Sequence, residues 1–65
     1  MKVYIILKGV PYEGENVEGV YETLKSARAK VLEIYTTHTE DPDIPNYFED
    51  EWGYYVRIDE EEVQK

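Results

Sequence analysis

HTEDPDIPNYFEDEWGYY, residues 38–55, decides how many strands this chain can form. It holds six carboxylates, five aromatics and two prolines, and no lysine or arginine. Proline lacks an amide hydrogen and fixes φ, so Pro42 and Pro45 argue against regular pairing. The stretch therefore reads as a stiffened acidic loop from 38 to about 51, followed by a last strand, WGYYVRID, over 52–59. In that strand Trp52, Tyr54, Val56 and Ile58 share one face and Tyr55 and Arg57 the other. Trp52 and Tyr54 are assigned to the core first. EEEVQK, residues 60–65, reads as a frayed acidic tail.

Upstream, KVYIILKGV (2–10) is rich in β-branched and aromatic residues and predicts a strand. Val3, Ile5 and Leu7 share one of its faces, and Tyr4, Ile6 and Lys8 the other. Both faces are apolar, which places the strand centrally. PYEGEN is a turn-rich connection, and VEGVYE (17–22) returns as the second strand of a hairpin. Thr23 fits a helix N-cap, because its hydroxyl can accept from an unpaired first-turn amide. LKSARAKVLEIY (24–35) then places Leu24, Ala27, Val31, Leu32, Ile34 and Tyr35 on one arc at helical spacing. Arg28 lies at the margin of that arc. Two placements stay open for it: a stem along the core with its head in water, or a pair with a sheet carboxylate.

The expected fold is thus α+β, a single β-β-α-β domain over 1–65. Its sheet is antiparallel and three-stranded, in the order 2-1-3, with the helix packed on one face. The open face is expected to show Tyr4 and Ile6, with Tyr55 beside them if it lies on that side. That is enough apolar surface to suggest a homodimer or a protein partner.

The charge is unevenly distributed. Fifteen acids face seven bases, net −8. Residues 1–30 carry net +1, and residues 31–65 carry eleven acids against two bases. Such a surface repels nucleic-acid phosphate and anionic lipid, so neither DNA, RNA nor a membrane is an expected direct partner. A basic protein surface is. The chain has no cysteine, no membrane-length apolar run, and no small-residue cleavage site after MKVYIILKGV. These features predict a cytoplasmic protein.

Catalysis and metal binding are poorly served. Asp41 and Asp43 have the spacing that opens an EF-hand loop. However, Pro45 takes the next ligand position, Asn46 the glycine position, and Trp52 the position of the bidentate glutamate. His38 is the single histidine, so no zinc site is expected. It reads as a solvated loop residue. Ser26, the single serine, lies about 18 Å along the helix axis from it, too far for a nucleophile–base pair. Paired carboxylates need an apolar pocket to raise one pKa, and a chain this short has little volume for one. The expectation is no enzyme, no cofactor and no metal.

Two readings of the acidic stretch remain. In one it is solvated and confers only solubility. In the other it is a working surface. Glu33, Glu40, Asp41, Asp43, Glu49, Asp50 and Glu51 would then meet a partner's lysines and arginines, and Tyr47 and Phe48 would serve as anchors.

In size, acidity, lack of cysteine and aromatic content, the chain resembles the small acidic proteins that phages encode to take over a host. Some of these are DNA mimics that inhibit restriction enzymes, uracil-DNA glycosylase, the nucleoid protein HU or CRISPR effectors. GVYETLKSARAK (19–30) also resembles a segment of uncharacterised short bacterial and phage proteins. The first resemblance implies an inhibitor of a basic nucleic-acid-binding host protein, acting in the host cytoplasm. The second implies the β-β-α-β fold. The alternative to inhibition is a generic interaction module that uses the open sheet face.

Overall fold

A computed structural model describes residues 1–64 of the chain. Its elements are β1 (Lys2–Val10), β2 (Gly14–Tyr21), α1 (Leu24–Ile34), β3 (Thr39–Glu40), β4 (Tyr47–Glu49) and β5 (Tyr55–Glu62). The fold is α+β with one antiparallel sheet, in the order β2-β1-β5-β4-β3. The sheet therefore has five strands instead of the expected three. The expected neighbours hold, since both β2 and the last strand flank β1. The extra strands arise because the two prolines forbid pairing only locally. Residues 39–40 and 47–49 pair on either side of them, with Glu40 opposite Phe48, and Phe48 opposite Val56.

The last strand begins three residues later than expected. Trp52 and Gly53 belong to a turn, in which Gly53 takes φ +87, a conformation that favours glycine. Trp52 is 69% exposed and Tyr54 41% exposed, so neither joins the core. At the other end, Glu60, Glu61 and Glu62 pair with Tyr4, Val3 and Lys2 instead of fraying. Ladder hydrogen bonds use the backbone, so acidic side chains continue a strand whose flanks stay in water. Of the expected tail, Lys65 lies outside the described residues.

The core is Ile6, Ala27, Val31, Phe48 and Val56, packed against Tyr4, Tyr21, Tyr35 and Ile58. The helix thus covers the Tyr4–Ile6 face of β1, the opposite of the expected one. Alternation on a strand that is apolar on both sides cannot choose a face. Phe48 and Val56 choose it, because the register puts them beside Ile6 and Ile58. The uncovered face shows Val3, Ile5 and Leu7.

The helix starts at Thr23, whose Oγ1 accepts from the Ser26 amide at 3.1 Å, as expected for its N-cap. Tyr35 closes it by donating its backbone N–H to the Val31 carbonyl at 2.8 Å. Ala27 and Val31, one turn apart, are buried, while Leu32 and Ile34 are exposed. The apolar arc is narrower in the fold than in the sequence.

Candidate binding site

The helix face of the sheet is closed by one ion pair. The Arg28 guanidinium donates to both oxygens of Glu40, each at 2.7 Å, and its Nη1 also donates to Asn46 Oδ1 at 2.7 Å. Glu40 accepts a further bond from the Asn46 amide at 3.0 Å. The guanidinium, followed by this amide, pulls the Glu40 carboxyl down to about 2. Of the two placements open for Arg28, the sheet carboxylate is the one it adopts. Glu40 is thereby committed to the fold.

Two aspartates of the acidic stretch are likewise engaged. Asp41 Oδ1 accepts from the amides of Asp43 at 2.7 Å and Ile44 at 3.1 Å, which shapes the proline loop. Asp50 Oδ1 accepts from the amides of Trp52 and Tyr54, both at 2.9 Å, which shapes the turn into β5. Phe48, expected as a partner anchor, is 1% exposed and belongs to the core. Its alternation in β4 puts it on the helix face, whereas Tyr47 and Glu49 point to the other. Glu33 stands on the helix, 3.7 Å from Lys30, and Asp43 lies in the proline loop.

Glu49, Asp50 and Glu51 come together. With Thr37, Thr39 and Trp52 they line a groove of about 550 Å³ at the β3–β4 end of the sheet. Thr39 and Glu49 face each other in the ladder. Among the described residues, no cationic side chain pairs with the three carboxylates; both arginines are paired elsewhere. An exposed tryptophan beside unpaired carboxylates suits an ammonium or guanidinium group, which the carboxylates attract and the indole face stacks on. Thr37 and Thr39 carried no signal in the sequence. Trp52 did, since a tryptophan directly before a glycine sits at a turn as readily as in a strand.

On the uncovered face, Tyr55 crosses β1 and donates its hydroxyl to Glu15 Oε2 on β2 at 2.9 Å. Its ring passes over Gly9, where any Cβ would collide with it. Arg57 grips the same carboxylate through Nε at 2.7 Å and Nη2 at 3.0 Å. The arginine, followed by the tyrosine hydroxyl, lowers the Glu15 carboxyl to about 2. Tyr47 stacks on Tyr55 with ring centroids 5.4 Å apart.

His38 is not solvated as expected. Both ring nitrogens are out of water and lack a hydrogen-bond partner, and the ring stands edge-on to Tyr35. Ser26 sits at the other end of the helix, its hydroxyl bonded to Thr23 at 2.8 Å. Among the described residues, no cluster of three or more His, Cys, Asp or Glu is placed to hold a metal ion. None of their helices is long and apolar enough to cross a membrane.

These features define a small α+β sheet domain with an acidic, tryptophan-walled groove at one sheet end. The chain belongs to the family described as a domain of unknown function, DUF7336, which matches residues 1–65. No curated protein and no solved structure matches it.

Proposed function

We propose that this protein is a non-enzymatic binding module that inhibits a basic nucleic-acid-binding protein by taking the place of its nucleic acid. The observation that carries the reading is the groove of Glu49, Asp50, Glu51 and Trp52. Among the described residues no cation pairs with its three carboxylates, of which Asp50 also accepts from two turn amides, whereas Glu40 is held by Arg28. A partner's arginines and lysines, which otherwise meet about one phosphate charge per 1.7 Å of duplex, supply the missing charge. The binding surface in this reading is narrower than the sequence suggested: Glu49, Asp50, Glu51 and Trp52, without Tyr47, which stacks on Tyr55.

The test is a gel-shift competition. Purified basic DNA-binding proteins are bound to a labelled duplex and titrated with this protein at low and high salt. The expected result is release of DNA from at least one of them, weakened by salt and by Glu49→Gln with Glu51→Gln. Competition that is unchanged in the double variant, or absent throughout, overturns the proposal.

A further inference from the structure

The uncovered sheet face divides in two. Near Gly9 it is covered by the chain's own Tyr55, Arg57 and Glu15. Beyond Leu7 that cover ends, and the β1 residues of the face, Val3, Ile5 and Leu7, are half-buried. Val3, Ile5 and Leu7 of β1 continue there into Val17 and Val20 of β2, which are 62% and 59% exposed. A bulge makes this possible. The register places Val17 opposite Leu7 and Val20 opposite Ile5, with Glu18 as the extra residue. Two valines three apart, which would alternate in a regular strand, thereby share one face.

The third strand of this face is acidic. Asp59 lies opposite Ile5 and Glu61 opposite Val3, so a carboxylate row runs alongside the apolar rows. The two carboxylates are unbalanced: Asp59 has only a 3.7 Å contact with Arg57 Nη1, and it pushes the Glu61 carboxyl up.

We propose that this open end docks a basic amphipathic helix of a partner protein. The helix lies along the strands, its apolar stripe on Val3, Ile5, Leu7, Val17 and Val20 and its lysine or arginine flank over Asp59 and Glu61. The dimensions agree. Three strands at about 4.8 Å spacing span about 10 Å, one helix diameter, and Val3 to Leu7 covers about 13 Å, or some nine helical residues. Charge selects the occupant. A second copy would bring two chains of net −8 and two acidic rows face to face. An anionic bilayer would be repelled by the same row. This surface is separate from the groove, and the two readings fail independently.

The probe is a synthetic helical peptide of about 14 residues, with leucine at i, i+3, i+4 and i+7 and lysine along one flank. Its controls are a scrambled peptide of the same composition and one with glutamate for lysine. Binding is followed by calorimetry at two salt concentrations. The amphipathic peptide is expected to bind at least about tenfold tighter than either control. Val17→Glu and Val20→Glu, each at an exposed position and each verified folded by circular dichroism, are expected to weaken it by about tenfold or more. Asp59→Asn with Glu61→Gln is expected to flatten the salt dependence, and Trp52→Ala to leave the affinity unchanged. Scrambled and amphipathic peptides binding alike, or no binding, overturns the proposal. So does affinity that survives both valine changes. A concentration-dependent dimer broken by Val17→Glu assigns the face to a second copy, and binding of anionic phosphatidylserine vesicles assigns it to a membrane; either result also overturns it.

Discussion

The two faces of this sheet use the same device to different degrees. On one, Arg28 grips Glu40 over Phe48 and the helix completes the cover. On the other, Arg57 grips Glu15 and Tyr55 lies over Gly9, but the cover stops there. The helix face is finished by the chain itself. The open face is finished at one end only, and its remainder combines exposed valines with unbalanced carboxylates. The acidity of this chain is therefore not one property. Some carboxylates serve as internal partners of arginines and backbone amides. Others, Glu49 and Glu51 in the groove and Asp59 and Glu61 beside the apolar rows, lie where a partner's charge can reach them.

The largest expected effect comes from breaking the finished face. Phe48→Ala removes a fully buried aromatic and should destabilise the domain by about 3–5 kcal/mol, measured by urea denaturation. On the half-finished face, Gly9→Ala drives a methyl into the Tyr55 ring. It should cost about 1–3 kcal/mol, and Tyr55→Ala in the same chain should recover part of that loss. Arg28→Ala leaves Glu40 without its guanidinium at a site only one-third exposed. About 1–2 kcal/mol should be lost, read from the same denaturation curves.

Acid titration tests both ion pairs together. Glu40 and Glu15 are held at about 2 in the fold, below their ordinary 4.5. Their contribution is therefore complete above about pH 4.5 and is lost as pH falls toward 2. Glu40→Gln should flatten that decline in a series of thermal melts. The smallest effect has the opposite sign. Asp59 raises the Glu61 carboxyl, so its burden is absent at acid pH and appears as pH rises through the raised value. Glu61→Gln should raise Tm slightly at neutral pH and not at pH 3.

Much of the fold was legible. The hairpin, the Thr23 cap and the placement of β1 between two partners follow from alternation and helical spacing in residues 2–35. What was not legible has local causes. Pro42 and Pro45 concealed β3 and β4, because a strand of two or three residues leaves no periodicity of its own. The choice of helix face depended on Phe48, which the same prolines had placed in a loop. The binding groove was half legible. Its carboxylates stood out, but composition cannot tell Glu49, which is free, from Glu40, whose Arg28 lies twelve residues away in sequence. Trp52 was drawn to the core by its hydrophobicity, although the Asp50 side chain and Gly53 hold it in an exposed turn.

The most direct test of the groove follows the Trp52 indole and the Thr39, Glu49 and Glu51 amides by NMR while a basic DNA-binding protein that is displaced from its duplex is added. Shifts centred on these residues, reversed by salt and absent in the Glu49→Gln, Glu51→Gln double variant, are the result expected. Shifts confined to other parts of the molecule, or shifts that persist in the double variant, would contradict the assignment of the groove as the partner site.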